Sequence, residues 1–116
     1  MGRRRIYQHH TVPGTVVSLV QAIIQDYPRR KKLIESPLIN NPGTNEECIR
    51  LNFIIEEIIN SHEPMLSAII ISDIINCRGY DHSEATAIAS KNLYYGLKNK
   101  IIEEIAIKNN LVYRGL

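Results

Sequence analysis

The sequence predicts an all-α fold, and three observations carry that prediction. Apolar residues recur three and four positions apart along the long stretches, and no segment alternates apolar and polar residues with period two. Helix-start signals stand in front of those stretches. Glycine and proline number only six and five in 116 residues and mostly fall between the stretches, which argues against both disorder and a turn-rich β chain. A length of 116 residues suits one domain. The expectation is a single compact helical domain of four to six helices over residues 11–116, behind a flexible basic arm at 1–10.

Taken in order, "TVPGT" opens the first helix. Thr11 or Thr15 can cap it, and Pro13 fits a first turn because its missing N–H is not needed there. Val16, Leu19, Val20, Ile23 and Ile24 then form a stripe. Pro28 interrupts it, and "DYPRRKKLIES" restarts as a short helix with Pro28 in its first turn. "SPLINNPGT" reads as a loop. Thr44 and Glu47 have capping-box spacing at the head of the next helix, whose stripe is Cys48, Leu51, Ile54, Ile55, Ile58 and Ile59. "NSHEP" breaks it. Glu63-Pro64 starts a third long helix through Leu66, Ile69, Ile70, Ile74 and Ile75.

"CRGYD" ends that helix, with Gly79 as the expected left-handed residue. Asp81 and Glu84 repeat the capping-box spacing. From Ser83 to Asn110 nothing forbids helix. The runs "FIIEEII" and "AIIISDII" are β-prone locally, and their caps and helical stripes decide for helix.

The core is expected to be aliphatic, since the chain has no Trp and a single Phe, Phe53. The net charge of +2 hides an asymmetry: the chain is basic before residue 45, acidic from 46 to 90, and basic again after 90. Basic ends suit contact with a polyanion, and charged faces that pair with one another are the alternative. Cys48 and Cys77 are too few for a disulfide framework and are expected as buried thiols in a reducing cytoplasm. "MGRRRIYQHH" has no apolar stretch behind its arginines, so no signal peptide is expected, and no apolar run approaches the ~18 residues of a membrane span.

Nothing in the chain argues for an enzyme. No nucleophile signature, phosphate-cradling glycine loop or HExxH motif is present. His9-His10 has no Cys or Asp cluster nearby to complete a metal shell, and no cofactor is expected. His62 and His82 read as solvent-facing cap positions, and Glu56-Glu57 and Glu103-Glu104 as solvated pairs.

Two basic stretches remain. Arg29, Arg30, Lys31 and Lys32 span one helical turn, so at least three should be exposed and able to touch phosphate. In "SKNLYYGLKNKII" and the residues after it, Leu93, Leu97, Ile101 and Ile105 recur every four residues, with Tyr94, Ile102 and Ala106 broadening the stripe, and bury one face. Lys91, Asn92, Tyr95, Asn99 and part of Lys98 lie off it. Asn and Lys can bond base edges, and Tyr and Lys can reach phosphates. Any surface helix has such residues, so this pattern leaves DNA reading and plain packing both open.

Three segments in order, "DYPRRKKLIE", "IRLNFIIEEII" and "GYDHSEATAIASKNLYYGLKNKIIEEIAIKNNLV", resemble the RinA-like and ArpU-like transcriptional activators of phages and prophages of Gram-positive bacteria. The resemblance covers roughly residues 14–112. It implies a sigma-factor-like helix-turn-helix within 83–110, residues 83–89 being its first helix. Ser90 would be the N-cap of the recognition helix, and Lys91, Asn92, Tyr94, Tyr95, Lys98 and Lys100 its DNA-facing or phosphate-facing residues. The last helix departs from the family pattern in having no Arg and in carrying Gly96 where a large or basic residue is common. One continuous helix from Ser83 to Asn110 is the rival geometry.

The resemblance thus implies a small DNA-binding late-gene activator, acting as a homodimer on double-stranded DNA in the host cytoplasm. Its acidic middle would face host RNA polymerase or a second copy. The alternatives are a phage protein-interaction module, such as an anti-defence inhibitor of a host protein or a homo-oligomeric assembly protein, and a small terminase-like packaging subunit.

Overall fold

The computed structural model describes residues 12–36 and 42–112. These form five α-helices: α1 (Gly14–Gln25), α2 (Tyr27–Glu35), α3 (Pro42–Ser61), α4 (Pro64–Ile75) and α5 (Lys91–Lys108). Two short 3₁₀ turns, Tyr80–His82 and Glu84–Ala87, lie between α4 and α5. No strand occurs among the described residues. The basic arm expected at 1–10 lies outside them, as does most of the loop after α2.

Pro13 caps α1 with its backbone: its carbonyl accepts the N–H groups of Val16 and Val17 at 3.0 and 2.9 Å. No threonine side chain performs this role among the described residues. Val20 and Ile24 are buried, whereas Leu19, assigned to the same stripe, is exposed. Asp26 keeps near-helical dihedrals, so α2 follows almost without a gap, with Pro28 in its first turn.

α3 starts at Pro42, ahead of the expected cap at Thr44. Thr44 thus lies inside the helix, and Glu47 pairs with Arg50 at 2.7 Å. α4 opens on Pro64 as the sequence implies, and the Ser67 hydroxyl donates to the His62 carbonyl at 2.7 Å.

The end of α4 corrects two expectations. The left-handed residue is Cys77, at φ 56°, and Gly79 is not. The N–H of Arg78 reaches back to the Asp73 carbonyl at 2.8 Å and that of Cys77 to Ile74 at 3.2 Å, the double bond of a Schellman close. Cys77 is thereby turned out of the helix and exposed, whereas Cys48 is buried as expected. α5 ends in the same way, with Asn110 at φ 59°. Leu111 N–H donates to Ala106 O at 2.9 Å there.

Helices α1, α3, α4 and α5 pack on one another, and α2 lies chiefly against α3. Their shared core is aliphatic: Val20, Ile24, Ile55, Ile58, Ile70, Ile74, Ile101 and Ile105 meet there, with Tyr94 among them. Each such side chain contributes on the order of 1.5–3 kcal/mol by leaving water. The stripes at three-and-four spacing supply these contacts, which is why the fold class was legible.

Polar ties cross between the helices. Gln25 donates to the Ile74 carbonyl at 3.2 Å, joining α1 to α4. The Tyr27 hydroxyl donates to Glu56, joining α2 to α3. His62 is half-buried and sits 3.0 Å from Glu104, joining the α3–α4 elbow to α5. His62 and Glu104 are thus inter-helix contacts and not the solvated groups the sequence suggested.

Candidate nucleic-acid interface

The connection from α4 to α5 decides what α5 can present. It is neither of the two geometries expected. A continuous helix from Ser83 is excluded, because Ile88 leaves the 3₁₀ turn at φ −129°, ψ −7° and Ser90 is extended at φ −73°, ψ 164°. A helix-turn-helix with residues 83–89 as its first helix is excluded too, because that segment holds only the four-residue turn Glu84–Ala87.

The local reason is side-chain competition for the backbone. Ser83 Oγ accepts the Ala85 N–H at 2.9 Å, and Ser90 Oγ accepts the Leu93 N–H at 3.1 Å. Each serine thus starts a new element where a helix would have run through. Thr86 donates to the Ser83 carbonyl at 3.0 Å and closes the first turn.

A tyrosine cluster pins this connection to α5. The Tyr80 hydroxyl donates to the Ala89 carbonyl. The Tyr80 backbone N–H donates to the Tyr95 hydroxyl at 3.4 Å. Tyr94 stands edge-on to Tyr80, with ring centroids 5.2 Å apart, and to Tyr95 at 5.0 Å. The Tyr94 hydroxyl donates to Asp73 at 2.7 Å, and the other Asp73 oxygen accepts from Arg78 Nε at 3.2 Å. Asp73 is 1% exposed, a buried carboxylate with both oxygens used.

Asp73, Arg78 and Tyr80 were not singled out by sequence reasoning. A signal for one of them exists: Asp73 falls one turn after Ile69 and Ile70, on the apolar face of "AIIISDII", where a lone carboxylate demands a buried donor.

The residues assigned to DNA sort into four groups. Ser90 is the α5 N-cap, as expected. Lys91, Asn92 and Lys100 are exposed on α5, and Arg29, Lys31 and Lys32 on α2. Tyr95 and Lys98 are half-buried against the connection, the Lys98 ammonium lying 5.6 Å from the Tyr95 ring centroid. Burial lowers the Lys98 pKa, with Asp73 acting in the opposite direction.

Tyr94 and Arg30 are corrections. Tyr94 is 0% exposed and Arg30 3% exposed, so neither has surface to offer a duplex. Tyr94 is held inward by Asp73. Arg30 is held inward by Asn52, whose side-chain oxygen accepts from its Nε at 2.7 Å, and by the Ile23 carbonyl. Leu93 is the reverse case: placed on the packing stripe by its spacing, it is 53% exposed.

Not every exposed base is equally available. Arg29 is engaged by Asp26 through two bonds of 2.7 Å, which hold the Asp26 carboxyl below its usual range, and Lys31 lies 3.7 Å from Glu35. Among the described residues no such ion pair involves Lys91 or Lys100 (the Lys108–Glu57 pair, at 3.9 Å, is at the far end of α5). Since α2 packs on α3 and α1 while α5 packs on α1, α3 and α4, the two basic groups stand on separate elements.

The buried tyrosines give the chain an alkaline limit. Burial first, and then the bond to Glu56, pushes Tyr27 up to about 12. Burial and then the bond to Asp73 push Tyr94 up as well. Below about pH 10 a tyrosine is protonated in both folded and unfolded chains, so these groups add no pH dependence. Above it the unfolded chain loses the proton first, and stability falls as pH rises toward 12. Melting temperatures measured from pH 8 to pH 12 are expected to stay level to about 10 and then drop. Tyr94→Phe should flatten part of that drop.

No helix among the described residues is long and apolar enough to cross a membrane, and no cluster of His, Cys, Asp and Glu among them could hold a metal ion. The fold and the surface just described define an all-α bundle that presents one separately capped basic helix. No family model, curated protein or solved structure matches the chain.

Proposed function

We propose that this chain is a small DNA-binding transcription regulator of the phage type, reading double-stranded DNA with the N-terminal half of α5. The observation that carries the reading is the break before Ser90. It starts α5 as a separate helix with Lys91, Asn92 and Lys100 exposed along it. The positive end of the helix dipole adds to those lysines. Exposed Lys31 and Lys32 on α2 offer further phosphate contacts, and homodimerisation multiplies a modest affinity per half-site. The resemblance to RinA-like and ArpU-like activators supports DNA binding as the activity, while the turn at Glu84–Ala87 means that α5 would act without the preceding motif helix that resemblance implies.

Gel retardation at low salt, on duplexes from the promoter regions adjoining its own gene, tests the reading. The wild type is expected to retard them. A Lys91→Ala/Lys100→Ala double variant is expected to bind more weakly. Its plot of log affinity against log salt should be shallower by about one unit per lysine that contacts phosphate. Absence of retardation by the wild type sinks the proposal.

A second reading, a phage protein-interaction module, has one observation in its favour. Ile49 and Phe53 are 50% and 59% exposed on α3, beside a shallow groove of about 220 Å³ that Ile34 and Lys31 of α2 also line. A module of that kind would keep its partner when Lys91 and Lys100 are replaced.

A further inference from the structure

We propose that Gly96 is the point of closest approach between α5 and duplex DNA, an inference that rests on the DNA-binding reading above. Glycine in a helix interior is destabilising relative to alanine, and Gly96 is the sixth residue of an 18-residue helix. Among the described residues nothing calls for it. A Cβ built at Gly96 meets no atom within 4 Å, so no neighbour needs the space, and its φ is not in the left-handed range. Among the described residues nothing accounts for a bare backbone at this exposed point, which leaves a bound partner as the proposed reason.

The surroundings name the kind of partner. Asn92 and Lys100 stand one turn before and one turn after Gly96 on the same exposed side, with Leu93 beside them. From Ser90 to Ile102 the helix carries Lys91, Lys98 and Lys100 and no acidic residue, and Glu103 marks the end of the stretch. This face complements a polyanion. Asn92 and Lys100 suit base edges and phosphates, and exposed Leu93 suits a thymine methyl group.

The fit in the groove explains the glycine. A helix with its side chains is about 10–12 Å across, and the major groove is about 12 Å wide. A helix that lacks a side chain at the centre of its facing side seats deeper, which brings the shorter Asn92 within reach of the base edges. A side chain at 96 lifts the whole face away.

Gly96→Ala and Gly96→Leu separate this from a structural role, because stability and binding are expected to move in opposite directions. Binding is followed by fluorescence anisotropy of a labelled mixed-sequence duplex and of the retarded promoter duplex, with melting followed by circular dichroism. Gly96→Ala is expected to raise the melting temperature by roughly 4 °C. It should weaken binding about tenfold, and Gly96→Leu should abolish it while the protein stays folded. Should Gly96→Leu bind as tightly as the wild type while Lys91→Ala/Lys100→Ala binds weakly, the closest-approach inference falls and the DNA-binding reading stands. A wild type that leaves every duplex free overturns both. So does a self-association that Gly96→Leu disrupts in the absence of any DNA binding, since the face would then belong to a protein contact.

Discussion

Tyr94→Ala is expected to destabilise the protein by about 3–5 kcal/mol, the usual effect of emptying a buried aromatic site. The ring is 0% exposed and touches both Tyr80 and Tyr95 edge-on. Edge-on aromatic pairs contribute about 0.5–1.5 kcal/mol each beyond simple burial. Because a domain of this size is held by only about 5–15 kcal/mol, the variant should be partly unfolded in mild urea.

Tyr94→Phe isolates the hydroxyl. It keeps the ring and leaves the buried Asp73 carboxylate with Arg78 alone, so a loss of about 1–3 kcal/mol is expected. Adding Asp73→Leu to Tyr94→Phe removes both polar partners and should recover part of that loss. Equilibrium urea titrations of the four proteins measure all of this. A Tyr94→Phe variant as stable as the wild type would show that the Tyr94–Asp73 bond holds nothing in place.

The second large effect is expected at Arg30. Arg30→Ala should lose about 2–4 kcal/mol, because it strips charge-assisted donors from Asn52 and from the Ile23 carbonyl in a nearly closed site. Arg30→Lys should recover little: an ammonium cannot reproduce the planar fork that meets Asn52, Ile23 and Asp26 together. Neighbouring Arg29→Ala is the control. Its bonds to Asp26 lie on the surface with 64% of the Arg29 side chain exposed, so a change within about 1 kcal/mol is expected. Thermal melts of the three variants distinguish a structural arginine from a solvated one. Equal losses at positions 29 and 30 would contradict the assignment.

These two residues also mark where sequence reasoning reached and where it stopped. The class of fold was legible because three-and-four spacing of isoleucine, leucine and valine forces an amphipathic helix whatever packs on it. Pro64 and Ser90 were legible as helix starts for an equally local reason, the supply of a cap or of a residue that needs no N–H partner. "RRKK" was legible only as a quartet in which at least three bases face water. Which one turns inward depends on Asn52, more than twenty residues away, and nothing in the quartet itself distinguishes Arg30 from Arg29.

The same limit applies to "SKNLYYGLKNKII". Spacing placed both Leu93 and Tyr94 on the packing stripe, and the resemblance offered Tyr94 to DNA; the fold exposes Leu93 and buries Tyr94. In the first turn of α5 the packed side is the one that carries Tyr94, held by Asp73 of α4 and the Tyr80 and Tyr95 rings, and Leu93 beside it stays exposed. Helical periodicity gives the width of an apolar stripe, and which edge of it meets a neighbour depends on the partner helix.

By itself, then, the sequence determined an all-α chain, the places where its helices must start, and the charge carried by each stretch, because these depend on residues within a few positions of one another. Only the tertiary structure decided that Arg30 and Tyr94 are buried and that Asn92, Gly96 and Lys100 share an open face of α5. Those outcomes rest on hydrogen bonds and packing between residues far apart in the chain, which no local pattern encodes, whereas the 3₁₀ turn at Glu84–Ala87 comes from the local bonds of Ser83 and Thr86.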